Sequence, residues 1–342
     1  MIVTIGMKAF NEEKHIASAL SSAVKAVQPF GGEVVLADSG STDRTVDIAK
    51  DFPVRIVQLA NPSERSCGAG AQLAFQHARG TYFYLMDGDM VIEPDFLPAA
   101  IAFLDAHPEI AGVGGEVRDV NVSNQEFAIR ANEMRKDEAW RPGIVDRLDC
   151  GGLYRMSALQ EIGYFADRNL HAFEEFDLAA RLQSRGWRLA RIDRLAVHHY
   201  GHRTDGYKLL WRRIRTGYSG GAGEVLRGAV GHGHLPIVLR RLGHVRNGLA
   251  VIAWWGLLLS SPFWMLPAVA KAGLLLALLI GPVAALALRR SSLNLGVYSF
   301  VSWNALALGL VTGFLRKRVS PEQPLAALIL REPSPRQIRL SA

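Results

Sequence analysis

The sequence predicts an α/β protein in which a mainly parallel sheet is flanked by helices and followed by a C-terminal helical membrane region. Three observations predict it. Over residues 1–200, short β-branched or aromatic runs alternate with stretches whose apolar residues recur at helical spacing;. Acidic, glycine-bearing turns follow those runs. From residue 248 to residue 315 charge almost disappears.

The first strand is expected at IVTIGM (2–7), the second at EVVLAD (33–38) and the third at TYFYLMD (81–87). Between them EKHIASALSSAVKAV, TVDIAKDF and GAGAQLAFQHA read as helices;. In open α/β sheets ligands bind beyond the carboxyl ends of the strands, which here carry the turns NEE, DSGSTD and DGD;. The strand LARIDRLAV leads into His198, His199 and His202.

Residues 201–246 are strongly basic, and Tyr207, Leu210, Trp211, Ile214 and Tyr218 recur at helical spacing among the charges. This pattern suits helices lying on anionic lipid, with nucleic acid the competing and less economical partner, so none is expected. The run from Gly248 to Ala270 holds 23 residues, roughly 34 Å of helix at about 1.5 Å per residue;. Two further runs, 272–288 and 293–315, end in Arg289–Arg290 and in Arg316–Lys317–Arg318. Two or three embedded segments are expected, a buried helical bundle being the competing reading; Pro262, Pro267 and Pro282 favour kinked or re-entrant helices;. The division is therefore an α/β domain over 1–200, interfacial helices over 201–246, membrane helices over 247–318 and a loosely held proline-containing tail over 319–342.

The chain of 342 residues is 49% hydrophobic and 21% charged, which excludes wholesale disorder, and its net charge of +7 suits anionic partners;. Cys67 and Cys150 are too few for a disulfide framework or a four-thiolate zinc site and fit a reducing compartment;. The opening MIVTIGMKAF lacks the order of a signal peptide, so no N-terminal export signal is expected;.

Asp87-Gly88-Asp89 places two carboxylates at a strand end, half of a clamp for Mg²⁺ or Mn²⁺ and a diphosphate; the same residues are also ordinary turn formers;. Asp38, with Ser39 to Asp43 after it, can accept from a ribose or a base N–H, or cap the helix near Thr45;. Gly68-Ala69-Gly70 lacks the third glycine and the preceding strand of a dinucleotide fingerprint, and reads as a close-packed helix start;. Asp177 and Arg181 are spaced to pair along a helix, whereas Glu174 and Glu175 before them are candidates for a general base or for first-turn charges;. One of His198, His199 and His202 is expected to complete the metal shell or touch the diphosphate, and spacing does not choose among them; His199 is the candidate metal ligand.

Together these residues resemble a family 2 glycosyltransferase of the GT-A fold, over about residues 1–220. AFNEE resembles the family's Pro-x-Tyr-Asn-Glu-Glu, with Phe10 for Tyr and Lys8 for Pro. LADSGSTDRT resembles its Val-Asp-Asp-Gly-Ser-Thr-Asp-x-Thr, YLMDGDM its Asp-x-Asp, and FEEFDLAARLQSRGW its Glu-Asp-x-Asp-Leu-x-x-Arg-Leu-x-x-x-Gly-Trp.

The resemblance implies that Phe10, Asn11, Glu12, Asp38 and Ser39 line the nucleoside side and that Asp87 meets the ribose or phosphate. It also implies that Asp89, with Asp87 and His199, holds Mg²⁺ or Mn²⁺. Glu175 stands where the family's base aspartate is expected, with Glu174 the other candidate. Ala71 and Gln72 replace an Arg-Asn pair, leaving Arg65 for the diphosphate. Gly151 and Gly152 resemble the acceptor-side glycine-rich strand, and Trp211, Arg212 and Arg213 an interfacial arginine motif.

The implied activity is inverting, metal-dependent transfer from a nucleoside-diphosphate sugar, UDP being favoured, to a polyprenyl-linked or other membrane-proximal acceptor in exopolysaccharide, surface glycan or glycolipid synthesis. The expected setting is an inner or plasma membrane with the catalytic domain cytoplasmic. A polyprenyl-phosphate glycosyl synthase and a non-catalytic nucleotide-sugar-binding module are the other readings.

Overall fold

The structure is a computed structural model that describes residues 2–120, 137–201 and 206–333. It divides into two compact units, one comprising residues 1–203 with 318–342 and the other residues 204–317.

The first unit is built on one mixed sheet. Its strands are β1 (Val3–Ala9), β2 (Glu33–Asp38), β3 (Arg55–Leu59), β4 (Tyr82–Asp87), β5 (Met90–Ile92), β6 (Ile110–Asp119), β7 (Gly143–Val145), β8 (Gly152–Arg155), β9 (Arg188–His199) and β10 (Ala327–Arg331). Their order is β10-β3-β2-β1-β4-β8-β6-β9-β5, with β7 against β9. β3, β2, β1 and β4 run parallel, as do β6 and β9, while β8 and β10 are antiparallel to their neighbours.

The second strand has the predicted bounds, and the first and third differ by one or two residues at their ends. Every residue of EVVLAD is buried, as expected of a strand covered on both faces;.

The helices of this unit are α1 (Ile16–Val27), α2 (Thr45–Ala49), α3 (Cys67–Gln76), α4 (Phe96–Ala106), α5 (Met156–Glu161) and α6 (Glu174–Ser184). In α1 the buried Ile16, Ala19, Leu20, Ala23 and Val27 form one apolar face, which packs into the core with Val3, Ile5 and Met7 of β1;. The second core cluster carries Leu73 of α3, Phe83 of β4 and Leu178 and Leu182 of α6. Asp177 and Arg181 form the expected i,i+4 pair at 2.8 Å.

The segment expected as a loosely held tail is instead structural as far as it is described. β10 adds antiparallel to β3, Leu325 is buried in the second core, and Arg168 donates to the carbonyls of Gln323 and Pro324 at 2.9 and 3.1 Å.

The second unit contains α7 (Gly206–Arg215), α8 (Gly221–Ala229), α9 (Leu235–Arg241), α10 (Gly243–Ser260), α11 (Ala268–Arg290) and α12 (Leu293–Leu315). Two of these, α11 and α12, are long and apolar enough to cross a membrane. The run 248–270 is not one helix. It breaks at Pro262 and Pro267, the latter capping α11, because proline lacks the N–H that a continuing helix requires;. Lys271, read as an interruption, lies in the first turn of α11 and donates to the Pro262 carbonyl at 3.2 Å, while Pro282 sits inside that helix. Gly309 and Gly313 of α12 lie against the backbone of Ser219 and Gly220, where any Cβ would collide.

Candidate active site

Register brings the candidate residues to one edge of the sheet. β1 is flanked by β2 and β4, with Ala9 opposite Asp38 and Lys8 opposite Asp87, so the carboxyl ends of three adjacent parallel strands carry Asp38, Lys8 and Asp87.

Two turns lock together beside them. Asn11, at φ +58°, donates its N–H to Ser41 Oγ (2.9 Å) and accepts from Thr42 N–H (2.8 Å). Glu12 N–H donates to Thr45 Oγ1 and Glu13 N–H to Asp43. NEE and STD therefore form a single zipped wall.

Asp38 is fully buried at the foot of that wall. Its carboxylate accepts from the N–H groups of Gly40 and Ser41 (3.0 Å each), Ser41 Oγ (2.5 Å) and Gln58 Nε2 (2.8 Å). It thus shapes the turn that presents Ser39 and Ser41, in addition to whatever it offers a ligand. Phe10 is exposed, and the Arg65 guanidinium lies 3.8 Å over its ring, forming a flat cationic surface above the turn;.

Lys8 is the centre of the acidic residues. Its ammonium is 2.6 Å from Glu174 Oε1 and 3.2 Å from Asp87 Oδ1. Burial works against that charge, but Asp87 and Glu174 outweigh it and hold the Lys8 pKa well above the ordinary value;. Burial likewise raises the Asp87 carboxyl, with Lys8 opposing and Asp89 and Glu174 reinforcing the shift.

Gly70 of α3 makes room for this arrangement, because a Cβ there would come within 3.3 Å of both Lys8 Cβ and Ser39 Oγ. Gly68 is tighter still, packed on the Asp167 carbonyl, which bears out the reading of these glycines as a close-packed helix start.

Glu174 and Glu175 open α6 after Phe173, whose φ of +66° turns the chain into the helix. They differ in surroundings. Glu174 is buried on Lys8, whereas Glu175 accepts from the backbone N–H groups of Cys150 (3.1 Å) and Gly151 (3.0 Å). Cys150 and Gly151 both have positive φ, +63° and +96°, which aims two successive N–H groups at one carboxylate;. Burial pushes the Glu175 carboxyl up to about 8; Lys8 opposes this, and Glu174, Asp149 and Asp87 add to it. Gly152 begins β8 and packs on Leu148.

Asp89 is buried, with Oδ2 3.6 Å from His199 Nε2. His199 Nδ1 is 2.6 Å from Asp119, which fixes that nitrogen as the donor and turns Nε2 toward Asp89;. Burial pulls the imidazole pKa down, but the hydrogen bonds with Asp119 and Asp89 prevail and lift it to about 9. His198 pairs with Glu93 at 3.0 Å, and His202 lies outside the described residues.

The donors suit a hard divalent ion. Asp89 and His199 would hold it, the imidazole giving up its Nε2 proton to do so, and Asp119 supplies the usual carboxylate behind the imidazole;. Among the described residues no three His, Cys, Asp or Glu side chains are gathered around one point, so phosphates and water would complete the shell;.

Trp211, Arg212 and Arg213 lie in the second unit on α7, where Trp211 is 62% exposed and the Arg213 guanidinium stacks 4.7 Å over Tyr218.

Lys8, Asp119 and the Cys150 N–H are the site groups that sequence reasoning missed, while Gly151, expected on the acceptor side, donates its N–H to Glu175. Lys8 had a signal, since it is the one charge in a strand otherwise built from Val, Thr, Ile, Gly, Met and Ala. Gln72, noted only as a replacement, accepts from the N–H groups of Phe165 and Ala166 at 3.0 Å and braces the loop behind α3.

The sequence profile of Glycosyl transferase family 2 matches residues 4–163. The putative glycosyltransferase EpsE of Bacillus subtilis (strain 168) is 29% identical over 198 residues, 54% of this chain and 68% of that protein. Probable glucomannan 4-beta-mannosyltransferase 10 of Arabidopsis thaliana is 24% identical over 216 residues, 57% of this chain and 39% of that protein. The match therefore spans about two thirds of the first relative and well under half of the second.

Among solved structures, mannosyltransferase PcManGT from Pyrobaculum calidifontis in complex with GDP-Man and Mn²⁺ gives a TM-score of 0.59 at 22% identity, covering 90% of this chain and 86% of that one. S. aureus TarS 1-349 gives 0.50 at 16% identity, covering 91% of each chain. At such identities the likeness establishes the GT-A fold.

Proposed function

Because residues 4–163 form a family 2 glycosyltransferase domain, we propose that the protein is an inverting, divalent-ion-dependent enzyme. It moves a sugar from a nucleoside-diphosphate donor to a hydroxyl on a lipid-linked or membrane-proximal acceptor. The observation that carries this reading is the division of labour between two adjacent glutamates. Glu174 is neutralised by Lys8, whereas Glu175 is held by two backbone N–H groups with its carboxyl raised to about 8. A carboxylate so placed, with raised basicity, suits removal of a proton from an attacking hydroxyl.

The zipped turns, Phe10 and Arg65 offer a wall for the nucleoside and its first phosphate, and Asp87, Asp89 and His199 offer the oxygen and nitrogen donors for Mg²⁺ or Mn²⁺. When bound, the ion supplies charge stabilisation to the departing diphosphate. Glu175 takes the acceptor proton as that oxygen bonds to the anomeric carbon, and the bond from that carbon to the diphosphate oxygen breaks on the opposite face. The retained base favours a hydroxyl over an acceptor that is already an anionic phosphate.

UDP and GDP donors both have precedent in the fold: TarS 1-349 is described in complex with UDP-GlcNAc, and PcManGT with GDP-Man. The two apolar helices of the same chain and the basic helices before them favour an acceptor at the membrane, with the catalytic domain on the cytoplasmic side where such donors are made.

The test is a screen of UDP-, GDP- and dTDP-sugars with membrane extract and Mn²⁺ or Mg²⁺. One donor should be consumed only when the ion is present, and Asp89→Ala should abolish consumption while leaving the thermal unfolding profile intact. Full activity in Asp89→Ala, or donor consumption in EDTA, would remove the ion from the reaction.

A further inference from the structure

We propose that Lys8 is a built-in counter-ion of the donor site, a positioning residue that pairs with Asp87 and Glu174 and thereby makes divalent-ion binding depend on the nucleotide. This rests on the reading of the site as a nucleoside-diphosphate sugar pocket.

The geometry is specific. Lys8 stands at the carboxyl end of the central strand, directly across the sheet from Asp87. Its side chain is only 18% exposed and its ammonium touches Asp87 Oδ1 and Glu174 Oε1 together. Gly70, without a side chain, leaves the space along the lysine stem. The family motif that this segment resembles has proline where this chain has Lys8.

The consequence is electrostatic. A divalent ion on Asp87 would share that carboxylate with an ammonium already 3.2 Å from Oδ1. At such separations like charges repel strongly in a partly desolvated site. The ion alone is therefore disfavoured, and Asp89 with His199 offers it an incomplete shell. A nucleoside diphosphate brings two or more negative charges, which offset the ammonium and add ligand oxygens, so ion and nucleotide bind as a cooperative pair. Mutual strengthening of this kind is reciprocal: the ion must tighten the nucleotide by the same factor.

The test measures free Mn²⁺ by electron paramagnetic resonance against the full-length protein in detergent, with and without UDP or GDP. The wild type should bind Mn²⁺ weakly alone and at least about tenfold more tightly with one of the nucleotides. Lys8→Met should bind Mn²⁺ alone about tenfold more tightly than the wild type, shrinking the nucleotide effect, and Lys8→Arg should restore it. Because Lys8→Met leaves buried carboxylates unpaired and can fail to fold, the pair Lys8→Met/Glu174→Gln is compared with Glu174→Gln alone, and the same gain is expected. Unchanged Mn²⁺ affinity in both comparisons, with nucleotide-dependent binding intact, would overturn the role of Lys8. Absence of Mn²⁺ binding in every protein with either nucleotide would overturn the donor-site reading and this inference with it.

Discussion

Replacing Glu175 with glutamine should kill turnover and at the same time stabilise the protein, a combination that follows from its environment. The carboxyl is raised from 4.5 to about 8, with burial the leading cause. The native state thus holds the proton more tightly than the unfolded chain. Stability tied to this group is fully present below pH 4.5 and is lost progressively as pH rises toward 8, because the unfolded chain releases the proton first;. At pH 7 the cost of keeping an ionisable group there is on the order of 3 kcal/mol, at about 1.4 kcal/mol per pKa unit.

Glutamine removes that cost and accepts the Gly151 N–H through its amide oxygen, while its NH2 faces the Cys150 N–H, so only part of the cost is recovered as stability;. For catalysis the sign is opposite. Only the ionised form can take a proton, so about one molecule in ten is competent at pH 7, and kcat/KM should climb about tenfold between pH 7 and a plateau above pH 9. Glu175→Gln should lose about 10² to 10⁴ in kcat, flatten the profile and keep donor affinity within a few-fold. Rates measured from pH 6 to 10, alongside thermal unfolding at pH 5 and 8, check both halves. A flat wild-type profile, retained turnover, or a glutamine variant less stable than the wild type at pH 8 would refute the assignment.

Three further outcomes are expected. Gly151→Ala places a Cβ 2.6 Å from the Leu85 carbonyl at φ +96°; it should cost about 1–3 kcal/mol and, by moving the N–H groups that hold Glu175, lower kcat more than it raises donor KM;. Leu325→Ala, in the segment after the last apolar helix, should destabilise the first unit by about 2–5 kcal/mol in chemical denaturation, because Leu325 is 2% exposed in the core beside Leu59 and Ala74;. Gly313→Ala puts a methyl 2.0 Å from the Gly220 carbonyl, so α12 must shift; a lowered unfolding temperature in detergent, with wild-type nucleotide binding by the first unit, is the expected reading;.

What the sequence disclosed and what it concealed divide by the range of the interaction. Strand length, helix phase and the Asp177–Arg181 pair are local: each is decided within a few residues, and EVVLAD at 33–38 or the i,i+4 pair can be read from spacing alone;. The GAGA segment was likewise legible as a close packing point, since glycines at a helix start imply an approaching backbone. β10 was hidden because Pro321 and Pro324 just before it look like loop, and what makes it a strand is the edge at Arg55–Leu59, where β3 offers unpaired N–H and C=O groups;.

Lys8 shows the same limit inside the site. Its partner Glu174 is 166 residues away, so nothing in its neighbourhood reveals that the charge is neutralised twice. The role of Glu175 was equally unreadable, because the groups that hold it are main-chain N–H donors of a Cys-Gly turn, which no side-chain pattern announces. Charge balance then links the two. Asp87, Asp89, Glu174 and Glu175 share one end of the sheet with the Lys8 ammonium; burial leads in raising Glu175, with Glu174, Asp149 and Asp87 adding to it, and Asp119 and Asp89 raise His199 against burial. Asp87 both helps to raise Glu175 and stands among the ligands proposed for the cation, so an ion bound there should lower the pH at which Glu175 becomes competent;.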